Sequence, residues 1–277
     1  MTCQCKQHTK ARPMFGKTAR VAVIGPDGPC VDRVMENALN TAEHFEAAID
    51  RCNLGSELSY LCNSDIGSYV PVSTWLWHVL QLANEISYRT DGLFDVVAAG
   101  TDGAANWPDI GLSCTGMVRL RRPLFLSLGG LAKGFAVDLT VTALRETGVQ
   151  AGLVDIGGRI RAFGPREWRV DFSPIKNGAG EAKEQVIPVP LRDDALAGCG
   201  SYFGATRLID FAQGITTSSQ EWGGMNLLVR APSSAVAEAL TKVAALSPSD
   251  SEKMLKQFGA QASILSGLGT ETLKYAS

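Results

Sequence analysis

The pattern of hydrophobic and polar positions changes period several times along the chain. Residues 20–24 cluster apolar side chains as a short strand does, and the turn-forming run Gly25-Pro26-Asp27-Gly28-Pro29 ends it. Beyond the turn, Val34, Ala38, Ala42, Phe45 and Ile49 fall on one face at helical spacing, with Glu36, Glu43 and Glu46 elsewhere. This spacing predicts a helix that Asp32 is placed to cap. The pattern loosens over residues 52–68, and Ser73 then stands where it can cap a second helix reaching Thr90.

Asp91-Gly92 turns the chain into a strand over residues 93–97, followed by a Gly- and Ala-rich passage, 98–107, with little periodicity. That passage reads either as a binding loop or as an ordinary surface loop. After Arg121-Arg122-Pro123, residues 124–128 read as a strand that breaks at Gly129-Gly130. The pattern then restarts with Ala132, Ala136, Leu139 and Ala143 on one helix face, and Gly148 stops that helix. Lys133 lies in its first turn. Free backbone N–H groups, the positive end of the helix dipole and a lysine together suit phosphate oxygens. The alternative is that the glycines serve only tight packing.

The second half predicts strands over residues 151–156, 159–163, 168–172, 185–191, 195–202, 207–211 and 225–230, with a polar hairpin over 177–182. Ser233 or Ser234 caps a helix to Leu246 whose apolar stripe is Val236, Leu240, Val243 and Ala244; a shorter helix over 249–258 and a strand over 261–265 follow. Residues 1–13 read as a flexible N-terminal tail and 14–277 as a single domain. The interspersed helices and strands, without a fixed repeat, predict an α+β fold with mixed sheets.

At 277 residues, 45% hydrophobic content and a net charge of -2, the chain has the makeup of a globular protein without an electrostatic footprint for nucleic acid or an anionic membrane surface. No apolar run approaches the roughly 18 residues a membrane span needs, and the opening Met1-Thr2-Cys3-Gln4-Cys5-Lys6 carries no signal-like apolar core, so a cytoplasmic location is expected. The 7 cysteines are dispersed without CxxC pairs, and most read as small buried hydrophobes. Cys3 and Cys5 with His8 form a CxC-type arrangement, more consistent with a terminal tail than a metal site. His44 and His78 lack a second ligand at helical spacing and read as packing or surface residues.

Several stretches, in order, resemble the ApbE family of FAD:protein FMN transferases. Ser56-Glu57-Leu58-Ser59 with Asn63 is similar to its SELSxLN stretch, and Gly92-Leu93-Phe94-Asp95 to its GxFD. Residues 128–138 resemble DLGGIAKGYAVD, 154–160 resemble VNxGGDI, 168–174 resemble WxVGIxDP, and Ala237-Glu238-Ala239-Leu240 resembles ADAL. The resemblance implies a flavin transferase that uses Mg to cleave FAD and joins the FMN half to a threonine or serine of an acceptor protein, releasing AMP. It further implies Lys133 and Arg207 as catalytic residues. Flavin-nucleotide contacts would come from Phe15 (or Met14, either of which matches the methionine of the family's MGT), Asn106, Trp107, Pro108, Ser127, Lys133 and Ile209, and metal contacts from the Gly130 carbonyl and Glu238.

Departures from the family pattern fall on the chemistry. Ser127 replaces the aspartate of DLGG, Asp155 replaces an asparagine, and Arg207 and Phe211 replace the histidine and proline of HIIDPRTG. Where the family has an aspartate and, one helical turn later, a threonine as metal ligands, this chain has Glu238 and Lys242. An ammonium has no lone pair for Mg. Lys242 therefore either puts its charge where the metal would sit or forms an i,i+4 pair with Glu238 on a solvated face. Glu238 lies opposite Val236 and Leu240 on the helical wheel, so the pattern favours the solvated pair. Thr241 replaces the missing threonine only if the register slips. The alternative to a working transferase is a diverged flavin or nucleotide binder that has lost catalysis.

Overall fold

A computed structural model of the chain describes residues 6–25, 28–98, 105–172, 187–199, 208–210, 215–217, 226–266 and 269–272. Its first two strands, β1 (Lys6–Met14) and β2 (Lys17–Gly25), form a hairpin. Residues 6–13, expected as part of a tail, are thus a sheet edge. Their polar side chains are held from outside the sheet: Arg12 pairs with Glu36 at 3.3 Å and Glu43 at 3.2 Å and donates to Asn40 at 2.9 Å.

Helix α1 (Pro29–Ala48) follows, with Gly28 rather than Asp32 at its N-cap and Pro29 in its first turn, where a missing N–H costs nothing. Helix α2 (Glu57–Cys62) is capped by Ser56, whose side chain accepts the Ser59 N–H. After β3 (Val70–Pro71) comes α3 (Thr74–Arg89), capped by Ser73 as its sequence predicts. Short strands β4 (Val97–Ala98), β5 (Ile110–Leu112), β6 (Met117–Leu120) and β7 (Phe125–Leu126) lead to α4 (Ala132–Glu146).

Strands β8 (Gly152–Ile156) and β9 (Arg159–Phe163) form the next hairpin; β10 (Trp168–Phe172) pairs with β11 (Ile187–Leu191), and β12 (Ala195–Cys199) follows. The remaining elements are β13 (Leu208–Asp210), β14 (Ile215–Thr217), β15 (Asn226–Ala231), α5 (Ser234–Leu246), α6 (Pro248–Lys256), β16 (Gln261–Ser266) and β17 (Gly269–Thr272). The α+β class is as expected. The main sheet has the order β1-β2-β8-β9-β12-β15-β16-β17, and each described strand pair is antiparallel.

Both faces of this sheet are covered, and the period-2 alternation of its strands shows it. Val154 and Ile156 of β8, and Leu227 and Val229 of β15, are buried in the larger core with the helices. Ala22, Ile160, Leu196 and Leu228 point the other way and pack with Trp168, Phe172, Ile187, Val189 and Leu191 of the β10–β11 hairpin. Helix α1 adds Phe45, whose ring meets Phe135 of α4 at 5.1 Å between centroids.

His44 and His78 are surface residues. Cys30, Cys52 and Cys114 are exposed and Cys199 is buried, so burial is not the rule for these thiols; Cys3 and Cys5 lie outside the described residues. None of the described helices is long and apolar enough to cross a membrane.

Candidate functional site

Strand β7 and the turn after it bring the Gly-rich stretch to one end of α4. The Ser127 N–H bonds the Val96 carbonyl, Leu128–Gly130 makes a single 3₁₀ turn, and α4 begins at Ala132 with no side-chain cap from its own segment. The cap comes from another helix. Glu238 of α5 accepts the Gly134 N–H on Oε2 at 2.8 Å, in the first turn of α4, where a carboxylate meets both a free donor and the positive end of the dipole.

The same carboxylate accepts from Arg159 Nε on Oε1 at 2.7 Å and faces Lys133 Nζ at 3.5 Å. Glu238 is wholly buried. Burial works against its charge, but Arg159, Lys133, the Gly134 N–H and Lys242 outweigh it and hold the carboxyl below its usual value. The solvated ion pair that the helical pattern favoured is therefore corrected. Helix α5 is buried nearly all round, with Ala237, Ala239 and Thr241 covered as well as the apolar stripe, so the position opposite Val236 and Leu240 meets protein rather than water. Thr241 does not face the cluster with its hydroxyl; it bonds the Glu238 carbonyl at 2.7 Å.

Lys242, one turn beyond Glu238, reaches the 3₁₀ turn. Its Nζ lies where a side chain of residue 130 would begin, so any Cβ at Gly130 would collide with it. Burial pushes its pKa down to about 8; Glu238 opposes the drop, and Lys133 and Arg159 add to it. Among the described residues its ammonium has no ion pair or hydrogen bond.

The spacing of α4 and α5 is fixed by a second, reciprocal cap. Asp138 of α4 accepts the N–H groups of Ser234 at 3.0 Å and Ala235 at 2.9 Å, and the Ser233 hydroxyl at 3.0 Å. Arg161 pairs with the same carboxylate at 2.5 Å. Between the two caps the helix backbones touch: a Cβ on Gly134 would run into the carbonyl of Ser234. Arg159 and Arg161 alternate on β9 and so point into the helix layer together, one to each acidic residue.

The β8–β9 turn supports this arrangement. Asp155 accepts the Gly158 N–H at 2.8 Å, and Gly157 and Gly158 have φ of 59° and 83°, a region that favours glycine. Arg159 also donates to the Gly157 carbonyl at 3.0 Å. Burial raises the Asp155 pKa, against the pull of the Gly158 N–H and of Arg20 and Arg159.

Beside the cluster a cleft of about 620 Å³ is lined by Phe15, Glu46, Arg51, Ser127, Gly129 and Ala132, among others. Phe15 is held there by its N–H on Glu46 Oε1 at 2.6 Å. Phe15 and Ser127 thus share one cleft, whereas Gly130, Lys133 and Glu238 are not part of its lining; Lys133 and Glu238 face each other in the cluster, and Gly130 meets Lys242. Asn106, Trp107 and Pro108 stand apart from that lining, in and around the 3₁₀ turn Trp107–Asp109. Asp95 anchors this turn by accepting the Trp107 N–H at 3.0 Å, and Tyr88 meets the Trp107 ring edge-on at 6.1 Å. Arg207 lies outside the described residues; Ile209 lies in β13, whose backbone alone is described. Arg159, Arg161 and Asp138 complete the cluster and were not singled out from the sequence.

A site for Mg built from Gly130 and Glu238 does not fit these residues. Glu238 already accepts a backbone N–H and a guanidinium, Lys242 puts an ammonium with no lone pair at Gly130, and among the described residues no group of His, Cys, Asp and Glu could hold a metal ion.

The ApbE family matches residues 15–264 of the sequence. The chain belongs to the ApbE family. Among solved structures it is similar to the apo flavinyl transferase ApbE of Pseudomonas stutzeri, with a TM-score of 0.78, 18% identity, and 95% of this chain and 92% of that chain covered. The flavin transferase ApbE of Vibrio cholerae gives a TM-score of 0.78 at 17% identity, with 94% of each chain covered. The ApbE protein of Thermotoga maritima gives 0.70 at 17% identity, again with 94% of each covered. At these identities the likeness shows a shared fold. No curated protein sequence matches the chain.

Proposed function

We propose that this member of the ApbE family is a flavin transferase that takes FAD as substrate and passes its FMN half to a threonine or serine of an acceptor protein. The observation that carries this reading is the convergence of Lys133, Arg159 and Lys242 at the start of α4, beside the cleft that holds Phe15 and Ser127. Breaking a pyrophosphate loads charge on the bridging oxygen, and fixed cations with backbone N–H groups stabilise that charge without rearranging. In the transfer, the acceptor oxygen bonds to the FMN phosphorus and the bridging P–O bond breaks. AMP leaves with the electron pair, and the hydroxyl proton passes to solvent or phosphate.

Lys133 is assigned to the pyrophosphate in this reading, and Phe15 and Ser127 to the flavin nucleotide. The family resemblance, rather than the geometry, assigns further flavin contacts to Asn106, Trp107, Pro108 and Ile209 and the reacting phosphate to Arg207. The test is incubation of the purified chain with FAD and an acceptor domain carrying the target threonine. Expected are AMP and an acceptor heavier by one FMN.

A second reading has its own support. Glu238 is committed to Arg159 and Gly134 and so is not available as a base, which suits a protein that holds a flavin nucleotide without transferring it. FAD binding without AMP release, and flavin that comes off on denaturation, selects this reading. Absence of FAD binding removes both.

A further inference from the structure

We infer that Lys242 is the resident cation of this site, so that the chain holds a nucleotide pyrophosphate without a divalent metal ion. The inference deepens the flavin reading and rests on it for the identity of the nucleotide, though not for the anion. The place is a built one. Lys242 Nζ lies against Gly130, the backbone of the 3₁₀ turn that enters α4, and only a residue without a side chain leaves it that room. The ammonium has no hydrogen-bond or ion-pair partner among the described residues, although it sits partly buried between α5 and the turn.

The charges around it do not cancel. Glu238 is the carboxylate in contact with Arg159 and Lys133, and it spends its second oxygen on the Gly134 N–H. Asp155 also attracts Arg159, but it serves the Gly158 N–H in the turn behind. Set against Lys133, Arg159 and Lys242, these carboxylates leave the cluster positive. A doubly charged metal ion would add to a surplus already present and would have to displace or face the ammonium at close range. A pyrophosphate supplies the opposite charge and acceptor oxygens that suit the N–H donors of the two ammonium groups and the guanidinium.

The experiment titrates inorganic pyrophosphate, and separately FAD, into the full chain by calorimetry, once in EDTA and once in MgCl2. A parallel titration of Mn2+ alone is followed by electron paramagnetic resonance. Expected are pyrophosphate binding in EDTA that Mg does not strengthen, no Mn2+ bound at the site, and metal-free binding weakened about tenfold or more in Lys242→Met, which keeps the aliphatic stem. Circular dichroism confirms that this variant folds.

Absence of pyrophosphate binding in EDTA, tenfold tightening by Mg, Mn2+ binding that Glu238→Gln abolishes, or unchanged binding by Lys242→Met would each overturn the inference. The FAD arm separates the two readings. Pyrophosphate bound in EDTA with FAD excluded sinks the flavin reading and leaves the resident cation, whereas FAD bound only with Mg does the reverse.

Discussion

Glu238 of α5 accepts the backbone N–H of Gly134 in α4 at 2.8 Å, and Asp138 of α4 caps α5 in return. Each helix is closed by a carboxylate from the other, and each carboxylate is matched by an arginine from β9. The acidic residue carried in the ADAL-like stretch therefore holds two helices and a strand in place before it takes any part in chemistry. The glycine between the caps allows the approach that makes both bonds reachable.

Replacing Glu238 by Gln should be costly because it removes the charge while Arg159, Lys133 and Lys242 remain. Breaking a buried pair from one side costs about 3–5 kcal/mol. At roughly 2–4 °C per kcal/mol for a chain of this size, the melting temperature is expected to fall by on the order of 10 °C. Calorimetric unfolding of the variant beside the parent checks it; a shift within about 2 °C would mean that the carboxylate is not holding the cluster together.

Gly134→Ala tests the helix crossing. Alanine favours a helix interior by about 1 kcal/mol over glycine, so propensity alone predicts a gain. The new methyl, however, meets the Ser234 carbonyl, which belongs to backbone that Asp138 holds in place. Overpacking of this kind costs about 1–3 kcal/mol, and the expected result is a lower urea midpoint. A higher midpoint would show that α5 can back away.

Much of the fold could be read from the chain because periodicity reports burial. The stripe of α1, the Ser73 cap of α3, the restart of the pattern at Ala132 and the Ser233 cap of α5 all appear where their residues predict. Strand β1 was hidden because an edge strand exposes one side of its backbone and carries polar residues, among them Lys10 and Arg12, that find their partners across on α1. Helix α2 is too short to show a period. The site was misread at Glu238 for a different reason: the helical wheel assumes that the face opposite an apolar stripe meets water. The sequence of α5, with Ala, Val and Leu on nearly every side, held the contrary signal, since a helix apolar all round is buried and takes its charges with it. Arg159 and Arg161 were legible only as an alternating pair on a strand whose inner face has no other call for charge.

Gly130→Ala separates binding from stability. The methyl would collide with the end of the Lys242 side chain, a flexible group that can swing away, so the fold should be little affected. The ammonium would be lost from the turn, and metal-free pyrophosphate binding is expected to fall by about tenfold, as in Lys242→Met. Equal affinity in parent and variant, measured by calorimetry, would place the useful charge elsewhere.

The depressed pKa of Lys242 sets a pH dependence whose two halves run in opposite directions. The folded lysine titrates near about 8, below its ordinary 10.5, chiefly because burial disfavours the ammonium. Below about 8 both folded and unfolded chains carry the proton, and the fold bears the full cost of the buried charge. Between about 8 and 10.5 the unfolded chain binds more protons, so this residue makes stability rise with pH across that window. Pyrophosphate binding needs the charge and should weaken as pH rises through the same range. Urea midpoints of the parent measured relative to Lys242→Met, from about pH 7 to 9.5, should climb, while the parent's advantage in pyrophosphate affinity shrinks. Because the methionine variant carries every other titrating group, a difference that stays flat with pH would show that Lys242 keeps an ordinary pKa in the folded chain.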